Sequence, residues 1–178
     1  ASPQLRVRPM GPLVKSLEEQ GVKVHSPTRS SFPMTIITTG LRGGASTVAD
    51  GEQSSQFLSA MLMAAPLAQS TMEISTKLLV SRPYIDMTIG LMERFGANVE
   101  RRGYDWFRVA APRQYQATSY IVEPDASTAS YFFASAAVTG GTVTVPHFAS
   151  RGLQGDSRFL DILVSMGCHV ADTGSEVT

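Results

Sequence analysis

The chain is predicted to be an α/β protein built from a repeated helix–strand unit, and three observations predict it. First, residues 13–24, 89–99 and 160–170 share one pattern. Each has an apolar stripe at helical spacing, a glycine where the helix ends, and then a β-branched residue that starts a strand. The three glycines, Gly21, Gly96 and Gly167, are spaced by 75 and 71 residues, long enough for a whole supersecondary unit to be reused. Second, two further helices recur at a similar interval, over 54–65 and 125–138. They carry small and apolar residues almost all round, which predicts burial on every side. Third, short segments of strand composition lie between the helices, at 34–38, 71–75, 106–109, 120–123 and 141–145.

Taken in order, the first helix presents Leu13, Val14 and Leu17 on one face and stops at Gly21, after which Val22 and Val24 read as a strand. The segment 34–38 (Met-Thr-Ile-Ile-Thr) reads as the next strand. The helix over 54–65 opens on Ser54 and Ser55 and is followed by a strand over 71–75. The unit then repeats with the helix ending at Gly96, strands around Trp106–Val109 and at 120–123, a helix capped by Asp125, and a strand over 141–145. The third copy supplies its first helix, closed by Gly167, and the start of a strand at Val170. The repeat is thus helix, strands, buried helix, strand, and by that count both its first and last copies are short. The 178 residues are therefore expected to be a segment of a longer chain, or an abridged relative of one.

A hydrophobic fraction of 43% with 17% charged residues is ordinary for a globular protein with a real core, in one domain or parts of two. A net charge of zero gives no reason to expect nucleic acid or an anionic membrane as partner. Twelve of the fifteen basic residues are arginine, the side chain suited to fixed, bidentate gripping of carboxylate and phosphate. No apolar run approaches a membrane span, and residues 1–4 show no signal-peptide pattern. Cys168 stands alone, so no internal disulfide is expected. His25, His147 and His169 have no metal-ligand spacing, so no metal site is expected either.

The segments with chemical promise lie at the seams of the repeat. Before the first helix, Pro9 stiffens the backbone so that Arg8 projects from a fixed corner, although on this pattern alone a solvated arginine beside a helix start is the plainer account. Ser54 and Ser55 open an apolar helix, where hydroxyls and unpaired N–H groups at the positive end of the dipole suit a phosphate. Simple N-capping by Ser54 is the competing account. Gln56 is harder to explain as a cap. The next seam, from Ser81 to Tyr84, repeats the Arg-Pro feature one unit on, as Arg82-Pro83. Asp125 is expected to cap the helix after it, and Asp156 or Ser157 to cap the third copy.

Five blocks in order resemble the enolpyruvyl transferases, and within them the 5-enolpyruvylshikimate-3-phosphate synthases that glyphosate inhibits. They are Arg8-Pro9-Met10-Gly11-Pro12-Leu13, Ser54-Ser55-Gln56-Phe57-Leu58, the run from Ser81 to Thr88, the run from Asp125 to Tyr131, and Leu153-Gln154-Gly155-Asp156. The likeness runs from Arg8 to about Val170. It implies an inside-out α/β barrel of βαβαββ units with buried helices, here an incomplete segment of a two-globe fold. Residues 1–123 fall in the first globe and 124–178 in the start of the second, with Pro124 as the hinge. The implied reaction moves the enolpyruvyl group of phosphoenolpyruvate to the 5-hydroxyl of shikimate 3-phosphate and releases phosphate, with no cofactor and no metal. It belongs to the shikimate pathway of aromatic amino acid biosynthesis.

By the same resemblance, Arg8 grips phosphoenolpyruvate and Gln56 lies between the two substrates. Ser54, Ser55 and Ser81 hold the shikimate phosphate, and Tyr84 stands near that substrate. Asp125 and Asp156 are assigned to structure. The family's essential lysine and its acidic proton-transfer residues match nothing in this sequence, so no catalytic residue is expected within it, and Lys15, Lys23 and Lys77 are not candidates. The resemblance implies a cytoplasmic enzyme (plastid in a plant), either a monomer or one module of a fused pathway polypeptide. Two other readings stay open: a non-catalytic, anion-binding remnant, and the sister enzyme that acts on a UDP-sugar. The sister enzyme carries a reactive cysteine on a mobile loop, whereas Cys168 follows a helix-ending glycine and reads as a buried, inert thiol.

Overall fold

The computed structural model of the chain describes residues 2–27, 31–44 and 46–178. The chain divides into two compact units, Ala1–Thr118 and Ser119–Thr178.

In the first unit, a single-turn helix α1 (Pro3–Arg6) precedes α2 (Gly11–Glu19), which begins on a Gly-Pro pair as a proline-started helix should. Two short strands, β1 (Lys23–His25) and β2 (Thr35–Ile37), pair antiparallel with Val24 opposite Ile36. Then come β3 (Ser46–Val48), α3 (Ser55–Ala64), β4 (Met72–Ser75), α4 (Arg82–Arg94), β5 (Val99–Arg102) and β6 (Trp106–Val109). Pro66 tightens the end of α3 into a 3-10 turn over Ala65–Leu67. The last four strands form one sheet in the order β3-β4-β6-β5. β3 and β4 are parallel, whereas β6 is antiparallel to both β4 and β5. β3, β4 and β5 therefore point the same way. α3 crosses from β3 to β4, and α4 crosses from β4 to β5, so each must begin at the carboxyl end of the strand before it.

Both helices pack on one face of this sheet. The core joins Leu58, Met61 and Leu62 of α3 and Ile85, Ile89 and Met92 of α4 to Met72, Ile74, Val99, Phe107 and Val109 of the strands. Phe107 and Leu58 are wholly buried. Alternation holds on β4 and β6, where the intervening Glu73 and Arg108 face out. α3 buries Ser55, Phe57, Leu58, Met61 and Leu62, so the burial expected of its all-apolar sequence is largely met.

The second unit contains α5 (Ala126–Thr139), β7 (Val145–Pro146), a 3-10 turn over Gly155–Arg158, α6 (Phe159–Ser165) and β8 (Glu176–Val177). Asp125 caps α5 by accepting the Ser127 N–H, as expected. β7 and β8 pair antiparallel. Ala126, Ala129, Phe133, Phe148, Leu160, Leu163 and Val177 form the core, with Phe133 and Phe148 edge to face at 5.4 Å. The repeat glycines behave alike in both units. Gly21, Gly96 and Gly167 have φ of 84°, 82° and 97°, the left-handed turn that ends a helix without a Cβ clash.

Four expectations are corrected. α5 is not buried on every side: Ala126, Ala129 and Phe133 are, but Tyr131 is 77% and Val138 84% exposed. An apolar sequence says what a helix is able to bury, and among the described residues α5 packs chiefly against the 3-10 turn and α6 through Ala126, Ala129 and Phe133. Residues 120–123 join no ladder, and Ile121 and Val122 stay exposed, because strand composition without a pairing partner does not make a strand. The strand expected over 141–145 is reduced to Val145–Pro146, and Val170 lies outside any ladder. Finally, neither Asp156 nor Ser157 caps α6. The 3-10 turn runs straight into that helix, and Asp156 instead accepts the Ser127 hydroxyl at the start of α5. Among the described residues the sheets are one of four strands and two of two, and none closes.

Candidate functional site

The parallel pair β3–β4 brings two helix starts together. Beyond their last paired residues the two chains stay side by side, through a bridge between Gly51 and Leu79 and a hydrogen bond from Val80 N–H to Gly51 O at 3.3 Å. Gly51 is required there, since a Cβ would stand 2.5 Å from the Leu78 carbonyl oxygen. Ser54 and Ser81 follow within a few residues, at the N-caps of α3 and α4. A third helix start is tied to the same edge. The Ser16 hydroxyl of α2 shares its one proton between Pro12 O of its own helix and Val48 O, each 3.1 Å away, and Glu19 accepts from the Thr47 hydroxyl at 2.6 Å, which seats α2 along the end of β3. The segment just before α2 then meets α3, where Arg8 Nη2 donates to Gln56 Oε1 at 3.0 Å. Two residues singled out from sequence 48 positions apart are in direct contact.

Each expected site residue has a definite place. Arg8 and Gln56 are exposed; with the Gln56 oxygen occupied by Arg8, its amide NH2 is the outward donor. Ser54 accepts the Gln56 backbone N–H at 3.2 Å, so it is an N-cap. Capping uses an oxygen lone pair and leaves the O–H proton as a donor, so the cap and phosphate readings of Ser54 are compatible. Ser55, the first residue of α3, is 6% exposed. Ser81 sits at the N-cap of α4 with φ −130° and makes no capping bond. Tyr84, in the first turn of α4, is 46% exposed.

Backbone N–H groups at the starts of α3 and α4, hydroxyls at both caps and the Arg8 guanidinium gather along one edge donors of the kind that suit an oxyanion. The loop between β3 and α3 also carries Asp50 and Glu52, and the Asp50 carboxylate is engaged by the Glu52 N–H at 2.9 Å. The edge lies at the carboxyl ends of parallel strands, where open α/β sheets place their ligands. Among the described residues there is no group of three or more His, Cys, Asp or Glu side chains placed to hold a metal ion. None of their helices is long and apolar enough to cross a membrane.

Sequence reasoning missed the side chains that support this edge. Asp86 of α4 accepts from Arg101 of β5 at 2.5 Å and from the Tyr104 hydroxyl at 2.6 Å. The Tyr104 ring also has the guanidiniums of Arg82 and Arg101 against it, each 5.1 Å from its centroid. Burial alone pushes the Asp86 carboxyl up, but the hydrogen bonds from Tyr104 and Arg101, with the charge of Arg101, outweigh it and hold Asp86 below the ordinary carboxylate range. The same contact with Asp86 raises the Tyr104 hydroxyl. Arg101 lies on the helix-facing side of β5, where an arginine in an otherwise apolar layer was the available signal. Ser59 and Thr88, polar residues inside α3 and α4, meet at 2.8 Å.

A sequence model described as EPSP synthase (3-phosphoshikimate 1-carboxyvinyltransferase) matches residues 2–178. A 3-phosphoshikimate 1-carboxyvinyltransferase from Methanoculleus marisnigri is 47% identical over 178 residues, covering 99% of this chain and 42% of the relative. Its counterpart from Erwinia tasmaniensis is 47% identical over 170 residues, covering 94% of this chain and 40% of the relative. A solved EPSP synthase from Acinetobacter baumannii superposes with a TM-score of 0.72 over 99% of this chain and 40% of that one; at 20% identity this likeness shows the α/β fold. The chain spans about two fifths of the length of the curated relatives it matches.

Proposed function

The chain belongs to the EPSP synthase (3-phosphoshikimate 1-carboxyvinyltransferase) family, and we propose that its oxyanion edge forms the shikimate 3-phosphate side of an enolpyruvyl-transfer site. In that reading the 5-hydroxyl oxygen of shikimate 3-phosphate takes the place of phosphate on the enol carbon of phosphoenolpyruvate. The hydroxyl proton balances the phosphate that leaves. Ser54, Ser55 and Ser81 receive the shikimate phosphate at the two helix starts, and Tyr84 flanks the ring. Gln56 lies between the substrates, and Arg8 grips phosphoenolpyruvate.

The observation that carries this reading is the contact between Arg8 and Gln56. It joins the proposed phosphoenolpyruvate group to the helix that bears the proposed phosphate ligands, so one edge offers donors to two anions. Both substrates are polyanions, and fixed N–H and guanidinium donors are what such a site needs. The acid and base that move protons are not among these six residues. Residues 1–123 are assigned to one globe of an inside-out α/β barrel and 124–178 to the start of a second. Phosphorylated substrates do not cross membranes unaided, so this reading puts the protein in the compartment that holds them, the cytoplasm or, in a plant, the plastid. It works as a monomer or as a module of a fused pathway enzyme.

The test separates ligand from cap. Aspartate caps a helix as well as serine does, but it sets a negative charge against a phosphate. In a full-length family member carrying these residues, Ser54→Asp should keep the melting temperature and raise the Kd for shikimate 3-phosphate by at least about tenfold, or 1.4 kcal/mol. Affinity within twofold of the parent removes Ser54 from the site.

A further inference from the structure

The seam between α3 and α4 carries a directed hydroxyl contact as well as apolar packing. Ser59 Oγ and Thr88 Oγ1 lie 2.8 Å apart, and Thr88 Oγ1 lies 2.7 Å from the Tyr84 carbonyl oxygen. A threonine hydroxyl has one proton, and a carbonyl oxygen accepts only. The Thr88 proton therefore goes to Tyr84, and Ser59 must be the donor to Thr88. The bonds run in one direction, from Ser59, one turn after Ser55 in α3, through Thr88, to the first turn of α4 that follows Ser81.

Position along the seam matters because the proposed phosphate ligands are divided across it. Ser54 and Ser55 belong to α3, and Ser81 to α4. Apolar contacts such as those of Leu58, Met61 and Ile85 set how closely the helices approach, but they are non-directional and hold axial register weakly. A hydrogen bond loses strength steeply once its distance and angle drift. We propose that Ser59 and Thr88 are positioning residues for the shikimate 3-phosphate site, fixing the register of α3 against α4 and with it the spacing of Ser54 and Ser55 from Ser81. The inference rests on the reading of that edge given above.

In a full-length family member carrying these residues, Thr88→Val keeps the side-chain shape and removes both bonds. The KM for shikimate 3-phosphate should rise about tenfold, the weight of one to two net hydrogen bonds. The KM for phosphoenolpyruvate should change less than about twofold, and Thr88→Ser, which keeps the hydroxyl, should restore the first value. If Thr88→Val does not fold, Ser59→Ala removes the donor while sparing the bond from Thr88 to Tyr84, and should show the same split. A shikimate 3-phosphate KM within twofold of the parent, or two KM values rising in step, overturns the proposal. Ser81→Ala distinguishes the levels of failure. If it too leaves that KM unchanged, the reading of the edge is wrong; if it raises KM where Thr88→Val does not, only the positioning role falls.

Discussion

Arg8→Lys is the sharpest probe of the proposed site, because the two side chains share a charge and differ in geometry. In the structure one guanidinium nitrogen is committed to Gln56 at 3.0 Å. The other N–H donors of the planar fork remain to meet a carboxylate or phosphate side by side. A lysine ammonium carries its three donors on one nitrogen, so it cannot hold Gln56 from one side while offering an anion two parallel, coplanar N–H bonds. Arg8 and Gln56 are exposed, so in the ligand-free protein their contact contributes under about 1 kcal/mol, and the melting temperature should hardly move. With substrates bound and water displaced, a charge-assisted bond is worth about 1.5–3 kcal/mol. Loss of the fork together with the Gln56 contact should then cost roughly 2–4 kcal/mol, or about 30- to 1000-fold in kcat/KM. The assay is steady-state phosphate release by a full-length family member carrying these residues, beside a thermal melt. Activity within threefold of the parent refutes the assignment of Arg8 to phosphoenolpyruvate. A large activity loss with a matching fall in stability refutes the argument that the side chain acts on the ligand rather than on the fold.

Two further outcomes are expected. Asp86 is held below the ordinary carboxylate range, so its stabilising contribution is present above the unfolded carboxylate pKa and is lost as pH falls through the folded value. Asp86→Asn should therefore flatten the acid limb of the stability profile. At neutral pH it should cost under about 1 kcal/mol, since both partners are about 40% exposed; denaturant unfolding across pH checks both. The 178-residue chain, mixed with phosphoenolpyruvate and shikimate 3-phosphate, should release no measurable phosphate. It supplies donors from one edge of the first unit, and positioning from opposing sides is worth roughly 7–11 kcal/mol of barrier; turnover by the chain alone contradicts the assignment of the proton-transfer groups to other residues.

What the sequence determined by itself is local or periodic. The glycines at 21, 96 and 167 end helices in a left-handed turn because only a residue without Cβ adopts it cheaply, so the repeat was visible before any coordinate. Asp125 and Ser54 cap helices through bonds that reach two residues along the chain. Arg8, Ser54, Ser55, Gln56, Ser81 and Tyr84 were nameable as candidates from their blocks, because each block is a short local run.

Tertiary structure decided which of these residues meet and which apolar surfaces are covered. Nothing in the sequence requires Arg8 to reach Gln56; that contact follows from α2 being seated on the end of β3 by Ser16 and Glu19. That Ser54 and Ser81 stand at neighbouring helix starts depends on parallel pairing carried on to Gly51 and Leu79. α3 and α5 have similar mean hydropathy, yet α3 packs against both α4 and the sheet while α5 leaves Tyr131 and Val138 to solvent. Residues 120–123 have the composition of a strand and no ladder to join. The reason is the same in each case. Helix ends and caps are settled within a few residues of chain, whereas burial and strand pairing need a partner surface that only the folded arrangement supplies.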